Sequence, residues 1–320
     1  MPHLTYHVTM DVFFYGSITF YGVLSLLVYS KWMSAYTEKQ TQRLLRCFAG
    51  FHIIMLAAMF ITLYLFPDAS GHLMYYDRLK GFFKDPNVFA SYLLLSFFWF
   101  MYDMRWNVIV RVMGMCLVGG AIYFTGSRIA LLCMVIPLVL KWREMSRSSQ
   151  FLTFVLCLGI GSYLWLGTER YTLQVYDLTR FQVQWEALQL AWQHPFGIGA
   201  GEAEAALHHS PHQTYVRVLL ENGFLGLIGY LIAIGFLFMK LVKTKETLGK
   251  VGLAFIVSLI IMNMVIDTLH WRHAWIFIGM AIGRGGRHHS NCFFNHTYAT
   301  HWRCATSRPS TSRSTGYKRP

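Results

Sequence analysis

Residues 152–166 read LTFVLCLGIGSYLWL, a run without a single charged side chain. Apolar residues fill consecutive positions here, whereas the strands of a membrane barrel alternate apolar and polar positions. A helix needs roughly 20 residues to cross the hydrocarbon core of a bilayer, which is about 30 Å thick. Comparable apolar blocks recur along almost the whole chain. Because every backbone amide in lipid must be satisfied within the protein, these blocks predict transmembrane helices.

The composition indicates the same class of protein. Of the 320 residues, 55% are hydrophobic, 17% are aromatic and only 13% are charged. A soluble globular domain carries about 25% charged residues, so an ordinary soluble fold is excluded. The sequence predicts an all-α, polytopic transmembrane bundle of about nine helices. The candidate spans cover 11–30, 47–66, 87–101, 107–124, 128–140, 150–167, 223–239, 251–267 and 273–283. The first span is too long and aromatic for a removable signal peptide, so it is predicted to be an anchored helix.

Basic residues in the loops lie on one side of these spans. They are Lys31, Lys39, Arg43, Arg46, Arg105, Lys141, Arg143, Arg147, Lys240, Lys243, Lys245 and Lys250. The positive-inside rule makes that side cytoplasmic. The opposite side then holds the N-terminus, the segment 67–86, the turn near Gly126, the loop 167–222 and the link around His270. We therefore predict that the long loop 167–222 is extracytoplasmic.

The tail 284–320 differs from the membrane domain 1–283, because it is rich in Arg, His, Ser, Thr and Gly and has no apolar pattern. It is predicted to be basic, disordered and cytoplasmic. Two interpretations stay open: a tail beside anionic lipid, or a last helix cut short by a lost reading frame. The net charge of +13 owes much to this tail, and no aromatic-interleaved motif supports nucleic-acid binding. The 6 cysteines match neither a disulfide framework nor a zinc motif, so they are expected to be packing residues.

The long loop has internal organisation, which is unusual for a simple connection between spans. Thr179 followed by Gln182 fits a capping box, which predicts a helix that starts at Arg180 and stops at His194-Pro195. Its apolar face holds Phe181, Trp185, Leu188 and Trp192. After this helix come Gly197, Gly199 and Gly201. These glycines let backbone amides approach a ligand closely, or they form a small apolar turn.

His212 is the candidate base of the loop. Ser210 and Pro211 predict a second helix start, with Ser210 as N-cap and Pro211 in the first helical position. His212 then lies in the first turn, where the helix dipole keeps its imidazole neutral and able to accept a proton. Neighbouring His208 and His209 invite a metal-site interpretation. No carboxylate or cysteine completes a ligand set, so no metal or other cofactor is expected.

Two arginines lie next to the membrane. Arg128 is at the outer mouth of a span, and Arg180 is in the first turn of the loop helix. An arginine at this depth is costly, so it is usually paired, snorkelling to the interface or functional. A guanidinium grips phosphate oxygens with two parallel hydrogen bonds. An Arg128 and Arg180 pair that faces His212 suits a diphosphate leaving group beside a base.

Several short motifs follow one another over residues 80–280. They are Asp85-Pro86-Asn87-Val88-Phe89-Ala90, Gly126-Ser127-Arg128, Arg180 with Trp185, Pro195-Phe196-Gly197-Ile198-Gly199, His212-Gln213-Thr214-Tyr215, Leu219-Leu220-Glu221-Asn222-Gly223 and Gly226. In this order they resemble the O-antigen ligase and Wzy-type O-antigen polymerase family of membrane proteins. The family usually has more helices than are counted here.

The resemblance implies a metal-independent, inverting transfer of a glycan from undecaprenyl diphosphate to an acceptor hydroxyl. The reaction takes place on the extracytoplasmic face of a bacterial inner membrane. The acceptor is lipid A-core for a ligase and the growing lipid-linked glycan for a polymerase, and the sequence does not separate these two. The resemblance also implies that Arg128 and Arg180 hold the diphosphate, that His212 is essential, and that Tyr215 and Glu221 support the site.

Two other classes of protein stay open. A transporter or channel carries ionisable residues at mid-membrane, broken helices and related halves, and the predicted spans hold few such charges. Asp267 and His270 are either a proton relay or loop residues at the outer interface. The other alternative is a non-catalytic membrane assembly protein.

Overall fold

Helices form most of the structure, as the sequence predicts. A computed structural model describes residues 10–142, 147, 150–151 and 175–285, and these residues are 77% helical. The first helices are α1 (Met10–Ala35), α2 (Glu38–Leu65), α3 (Ser70–Leu73), α4 (Pro86–Tyr102), α5 (Val108–Phe124), α6 (Arg128–Cys133) and α7 (Ile136–Leu140). The later ones are α8 (Val175–Gln193), α9 (Ala203–Leu207), α10 (Thr214–Val242), α11 (Thr247–Met262) and α12 (Arg272–Gly285). Between α3 and α4, strand β1 (Met74–Tyr75) pairs antiparallel with β2 (Arg78–Leu79).

The predicted spans coincide with helices wherever the structure describes them, although several helix ends differ. Helix α2 begins well before the predicted span because Thr37 and Gln40 form a capping box. The predicted span 128–140 is two short helices, and Pro137, which has no amide proton, lies in the first turn of the second. Most of span 150–167, the loop residues 167–174 and the tail 286–320 lie outside the described residues.

Two of the described helices, α2 and α10, are long and apolar enough to cross a membrane. Helices α5 and α11 and the pair α6–α7 are apolar but shorter, so a bundle of nine transmembrane helices is not confirmed. Large apolar side chains on the two long helices face outward: Ile54 is 69% exposed on α2, and Ile232 is 67% exposed on α10. Apolar surfaces of this kind are typical of a membrane or protein contact.

The basic loops meet at one end of the helices. Ion pairs there join Arg46 to Asp103 and Arg284 to Glu246, each at 2.8 Å. Arg284 also donates a hydrogen bond to the carbonyl of Tyr36, between α1 and α2. These contacts lie between loops that the sequence assigns to one side of the membrane. Arg284 belongs to α12, so the predicted tail boundary at 284 falls within a helix.

The described part of the long loop has a small hydrophobic core of its own. Val183, Ala187 and Ala191 of α8 are buried together with Leu207 of α9 and Leu220 of α10. A larger hydrophobic cluster, to which α2, α4, α5, α11 and α12 contribute, forms the main core. The described part of the loop is therefore folded. Its core packs α8 and α9 against the first turns of α10.

Candidate functional site

A cavity of about 380 Å³ brings the two arginines predicted to hold a diphosphate together. Its polar wall contains Arg78, Asn87, Ser127, Arg128, Arg180 and Gln184. These side chains come from β2, the start of α4, the turn into α6, and α8. Arg128 and Arg180, which lie far apart in sequence, therefore line one space. Sequence reasoning missed Arg78, because a lone arginine in the segment 67–86 carries no spacing signal.

Arg78 joins three segments of the cavity wall. Its Nε donates to the carbonyl of Thr125 at 2.8 Å, and its Nη2 donates to Oδ1 of Asn87 at 3.0 Å. Asn87 belongs to a motif in which Asp85 caps α4, since the Asp85 Oδ1 accepts from the Asn87 amide at 2.6 Å. Arg78 thus links the motif Asp85-Pro86-Asn87 to Thr125, the residue that directly precedes the motif Gly126-Ser127-Arg128.

The rest of the cavity wall is apolar. It consists of Gly126, Ile129, Leu132, Phe181, Met264, Val265 and Ile266. Several of these side chains are exposed. The exposed fraction is 63% for Phe181, 61% for Met264 and 47% for Leu132. The cavity therefore combines cationic groups with accessible apolar surface.

His212 lies just before α10 rather than inside its first turn. The helix begins at Thr214, so the predicted start at Ser210-Pro211 is wrong. Tertiary contacts fix the true start, because the Thr214 amide donates to the carbonyl of Asn263 at 3.1 Å. The backbone of His212 has a φ of 49°, in the left-handed region that non-glycine residues seldom occupy. Such conformations cost about 1–3 kcal/mol and concentrate at functional sites.

The surroundings of His212 favour its neutral form. Its imidazole is half-buried, and this burial lowers the pKa below the ordinary value of about 6.5. The positive charge of Arg180 lowers the pKa further, while Asp85, Asp267 and Glu204 act in the opposite direction. These effects favour the neutral imidazole near pH 7, and burial rather than a helix dipole is the main cause. The charge of Arg180 acts on His212, although His212 is not among the residues that line the cavity.

Two amides of the glycine segment bond to backbone carbonyls, which favours the predicted small turn over the predicted approach of its amides to a ligand. Gly197 donates to the carbonyl of His194 at 2.8 Å, and Gly199 donates to the carbonyl of Glu221 at 3.0 Å. Gly197, Gly199 and Gly201 all have positive φ, of 88°, 115° and 83° in chain order. The segment is a turn that rests on the backbone of α10, close to the interpretation as a small turn.

We expect Gly197→Ala to lower the free energy of unfolding by at least about 1–3 kcal/mol, because its φ of 88° strains a side chain. A Cβ there would also lie 2.4 Å from the carbonyl oxygen of Glu221. Gly229→Ala is the matched control, since a Cβ at that helical position meets nothing within 4 Å. Thermal unfolding of the detergent-solubilised protein measures the difference. Equal unfolding temperatures for the two variants would contradict the role given to Gly197.

Arg217 forms a buried hub beside His212 that sequence reasoning missed. Its guanidinium contacts three carboxylates: Asp267 at 2.6 Å, Glu221 at 3.0 Å and Glu204 at 3.1 Å. The side chains of Arg217 and Glu221 are each only 4% exposed. The hub joins α9, α10 and the link between α11 and α12. A signal was present in the sequence, because Arg217 and Glu221 are four residues apart in an otherwise apolar helix.

The remaining sequence candidates have structural partners. The hydroxyl of Tyr215 donates to the carbonyl of Ile260 at 3.0 Å, which ties α10 to α11. Asp267 is engaged by Arg217, and the Nδ1 of His270 lies 3.8 Å from its Oδ2. Burial lowers the pKa of His270, and the charge of Asp267 opposes this shift. Asp267 and His270 lie in the link after α11, in agreement with the interpretation as loop residues.

Helix α8 differs from its prediction at the start. It already includes Val175, so Thr179 is not its N-cap and Arg180 lies inside the helix. The predicted apolar face is exposed. Its exposed fractions are 63% for Phe181, 63% for Trp185, 40% for Leu188 and 78% for Trp192. The helix packs through its small residues instead.

In the described part of the chain, no three His, Cys, Asp or Glu side chains are grouped so that they could hold a metal ion. His208 and His209 follow α9 and are exposed. No protein-family model matches this chain, and no curated protein matches it. The chemistry of the cavity and its surroundings is therefore the basis for assigning a function.

Proposed function

We propose that this protein is an inner-membrane glycosyltransferase that moves a glycan from undecaprenyl diphosphate to an acceptor hydroxyl, as an O-antigen ligase or polymerase does. The observation that carries this proposal is the shared cavity of Arg78, Arg128 and Arg180. Guanidinium groups are suited to phosphate oxygens, and the exposed apolar wall suits a lipid tail. An amphiphile with a phosphorylated head is the class of ligand that matches both walls.

The chemistry divides between a base and a set of cations. His212, neutral near pH 7, accepts the proton of the acceptor hydroxyl as its oxygen attacks the anomeric carbon. The bond between that carbon and the diphosphate oxygen breaks, and the electron pair leaves with the diphosphate. Arg128 and Arg180 hold the resulting charge, which removes the need to protonate the leaving group. A single displacement of this kind inverts the anomeric configuration.

The membrane location is supported by the apolar helices and by the sorting of charge. Helices α2 and α10 suit a bilayer, and the basic loops meet at one end. With that end in the cytoplasm, the cavity opens on the extracytoplasmic side, where the donor would be undecaprenyl-diphosphate-linked glycan. The acceptor is lipid A-core or a second lipid-linked glycan. The activated donor supplies the energy, so the scheme needs no nucleotide sugar.

Complementation of two bacterial strains, one without its O-antigen ligase and one without its O-antigen polymerase, tests the function. Each strain receives the wild type, Arg128→Ala, Arg180→Ala or Arg105→Ala. Arg105 is a matched control because it is 57% exposed and far from the cavity. We expect the wild type and the control to restore surface polysaccharide in one strain, and the two cavity variants to fail at equal membrane levels.

The polysaccharide pattern on gels identifies the reaction. Uncapped core is the product without a ligase, and a single repeat on core is the product without a polymerase. Rescue of one pattern therefore names the acceptor class. If the wild type reaches the membrane and restores neither pattern, or if both cavity variants work as well as the wild type, the proposed function is wrong.

A further inference from the structure

Arg78 lines the cavity, yet a pair of diphosphate-binding arginines does not account for it. We infer that Arg78 makes the cavity a site of three guanidinium groups, which selects a diphosphate ester over a monophosphate ester of the same lipid. This inference rests on the proposed function and deepens it, because it assigns a residue to the choice of donor. It is carried by the position of Arg78, by its hydrogen bonds and by the polar groups beside it.

The position of the Arg78 guanidinium is fixed before any ligand binds. Two hydrogen bonds, to the carbonyl of Thr125 and to Oδ1 of Asn87, hold its plane against the cavity wall. A long side chain usually loses rotamer freedom when it grips an anion, which weakens binding. A guanidinium that is already held avoids much of that loss. Lysine has a single nitrogen and cannot reproduce this two-partner geometry.

The hydroxyl of Ser127 is a further polar group at the cavity wall, beside the arginines. The hydroxyl of Ser127 is buried at the cavity wall, and it has no hydrogen-bond partner among the described residues. Buried polar atoms are nearly always paired, so an orphan hydroxyl indicates a water or ligand partner. A hydroxyl can donate to a phosphate oxygen as the arginines do.

The number of cations matches two phosphate groups better than one. A guanidinium binds two phosphate oxygens at a time through parallel hydrogen bonds. The oxygens of a single phosphate group are too few for three guanidinium groups to bind in this way. The three arginines come from three separate segments, β2, α6 and α8, so they surround a ligand from several sides. A diphosphate can meet Arg78 together with Arg128 and Arg180, whereas a monophosphate would be held by fewer of them. Loss of Arg78 would then weaken the diphosphate selectively.

Direct binding tests this inference without the transfer reaction. The full chain in detergent is titrated with farnesyl diphosphate and with farnesyl monophosphate, as wild type, Arg78→Gln, Arg78→Lys and the control Arg105→Gln. We expect the wild type and the control to prefer the diphosphate. Arg78→Gln should weaken diphosphate binding about tenfold, which is the loss of one charge-assisted hydrogen-bonded contact, and change monophosphate binding little. Arg78→Lys should recover only part of the preference.

A merely structural Arg78 would behave differently. The unfolding temperature is measured for every variant, and equal weakening of both ligands, or an unchanged preference in Arg78→Gln, overturns the inference. If the wild type prefers the diphosphate and Arg78→Gln keeps that preference, only the role of Arg78 fails. If the wild type binds no lipid diphosphate at all, the proposed function fails as well.

Discussion

We expect replacement of His212 by asparagine to lower the rate of glycan transfer about 10²- to 10⁴-fold, the range typical of losing a general base. Asparagine is the sharper substitution because it tolerates the left-handed backbone, with φ of 49°, that position 212 adopts. With alanine at position 212, a lower rate could come either from loss of the base or from backbone strain. His209→Asn is the matched control, since His209 is an exposed histidine three positions away. Transfer is measured with purified protein and a lipid-diphosphate donor.

The pH dependence of kcat/KM in the wild type checks the same assignment. Because burial and Arg180 lower the pKa of His212, the neutral ring predominates at pH 7 and is lost only below the ordinary value of about 6.5. The acid limb of the profile should therefore lie below pH 6.5. Glu204→Gln removes a negative charge that raises this pKa, so the limb should move to lower pH. An acid limb above pH 6.5, or equal rates for His212→Asn and wild type, would rule out His212 as the base.

The helices could be predicted from the sequence because their signal is local. Long apolar blocks dominate 11–30 and 87–101, and α1 and α4 contain them. The grouping of Arg128 with Arg180 was partly accessible as well, since the sorting of basic loops assigned both arginines to the same side. What the sequence could not supply is their convergence on one cavity, because this depends on how α6 and α8 pack.

The local signals for the starts of two loop helices were wrong. The capping pattern at Thr179 fails because α8 already includes Val175. The pattern at Ser210 fails because Thr214 is bonded to Asn263, which sets where α10 begins. A favourable cap contributes about 1 kcal/mol, so tertiary contacts of this kind can outweigh it.

The glycine segment shows that backbone conformation could be predicted from a motif, whereas its contacts could not. Glycine permits the positive φ of Gly197 and Gly199, and the sequence predicted either a close backbone approach or a turn there. The contact of Gly199 with Glu221 could not be predicted, because Glu221 lies on α10, a separate element. The place of Arg78 in the cavity wall could not be predicted for the same reason, since it depends on hydrogen bonds to Asn87 and Thr125. Local conformation was therefore predictable, whereas contacts between distant segments were not.

Arg217→Met should lower the free energy of unfolding by about 3–5 kcal/mol, the cost of removing one partner from a buried ion pair. The substitution leaves the carboxylates of Glu221 and Asp267, which are 4% and 13% exposed, without their cation. Glu204 is 45% exposed and adds less, because water screens it. Thermal unfolding in detergent measures the loss. Arg105→Met is the control, since its ion pair is exposed and long, at 3.9 Å.

A triple variant shows whether Arg217→Met destabilises the protein by leaving buried carboxylates without a cation or by removing packing contacts. Arg217→Met combined with Glu221→Gln and Asp267→Asn removes the cation and both buried anions together. Because replacing a whole buried ion cluster is often neutral, we expect this variant to be more stable than Arg217→Met alone. If the triple variant is no more stable than the single one, the hub holds the loop by shape rather than by charge. Recovery of stability without recovery of transfer would instead show that the hub also acts on His212, since Asp267 and Glu204 contact Arg217 and their charges raise the pKa of that imidazole.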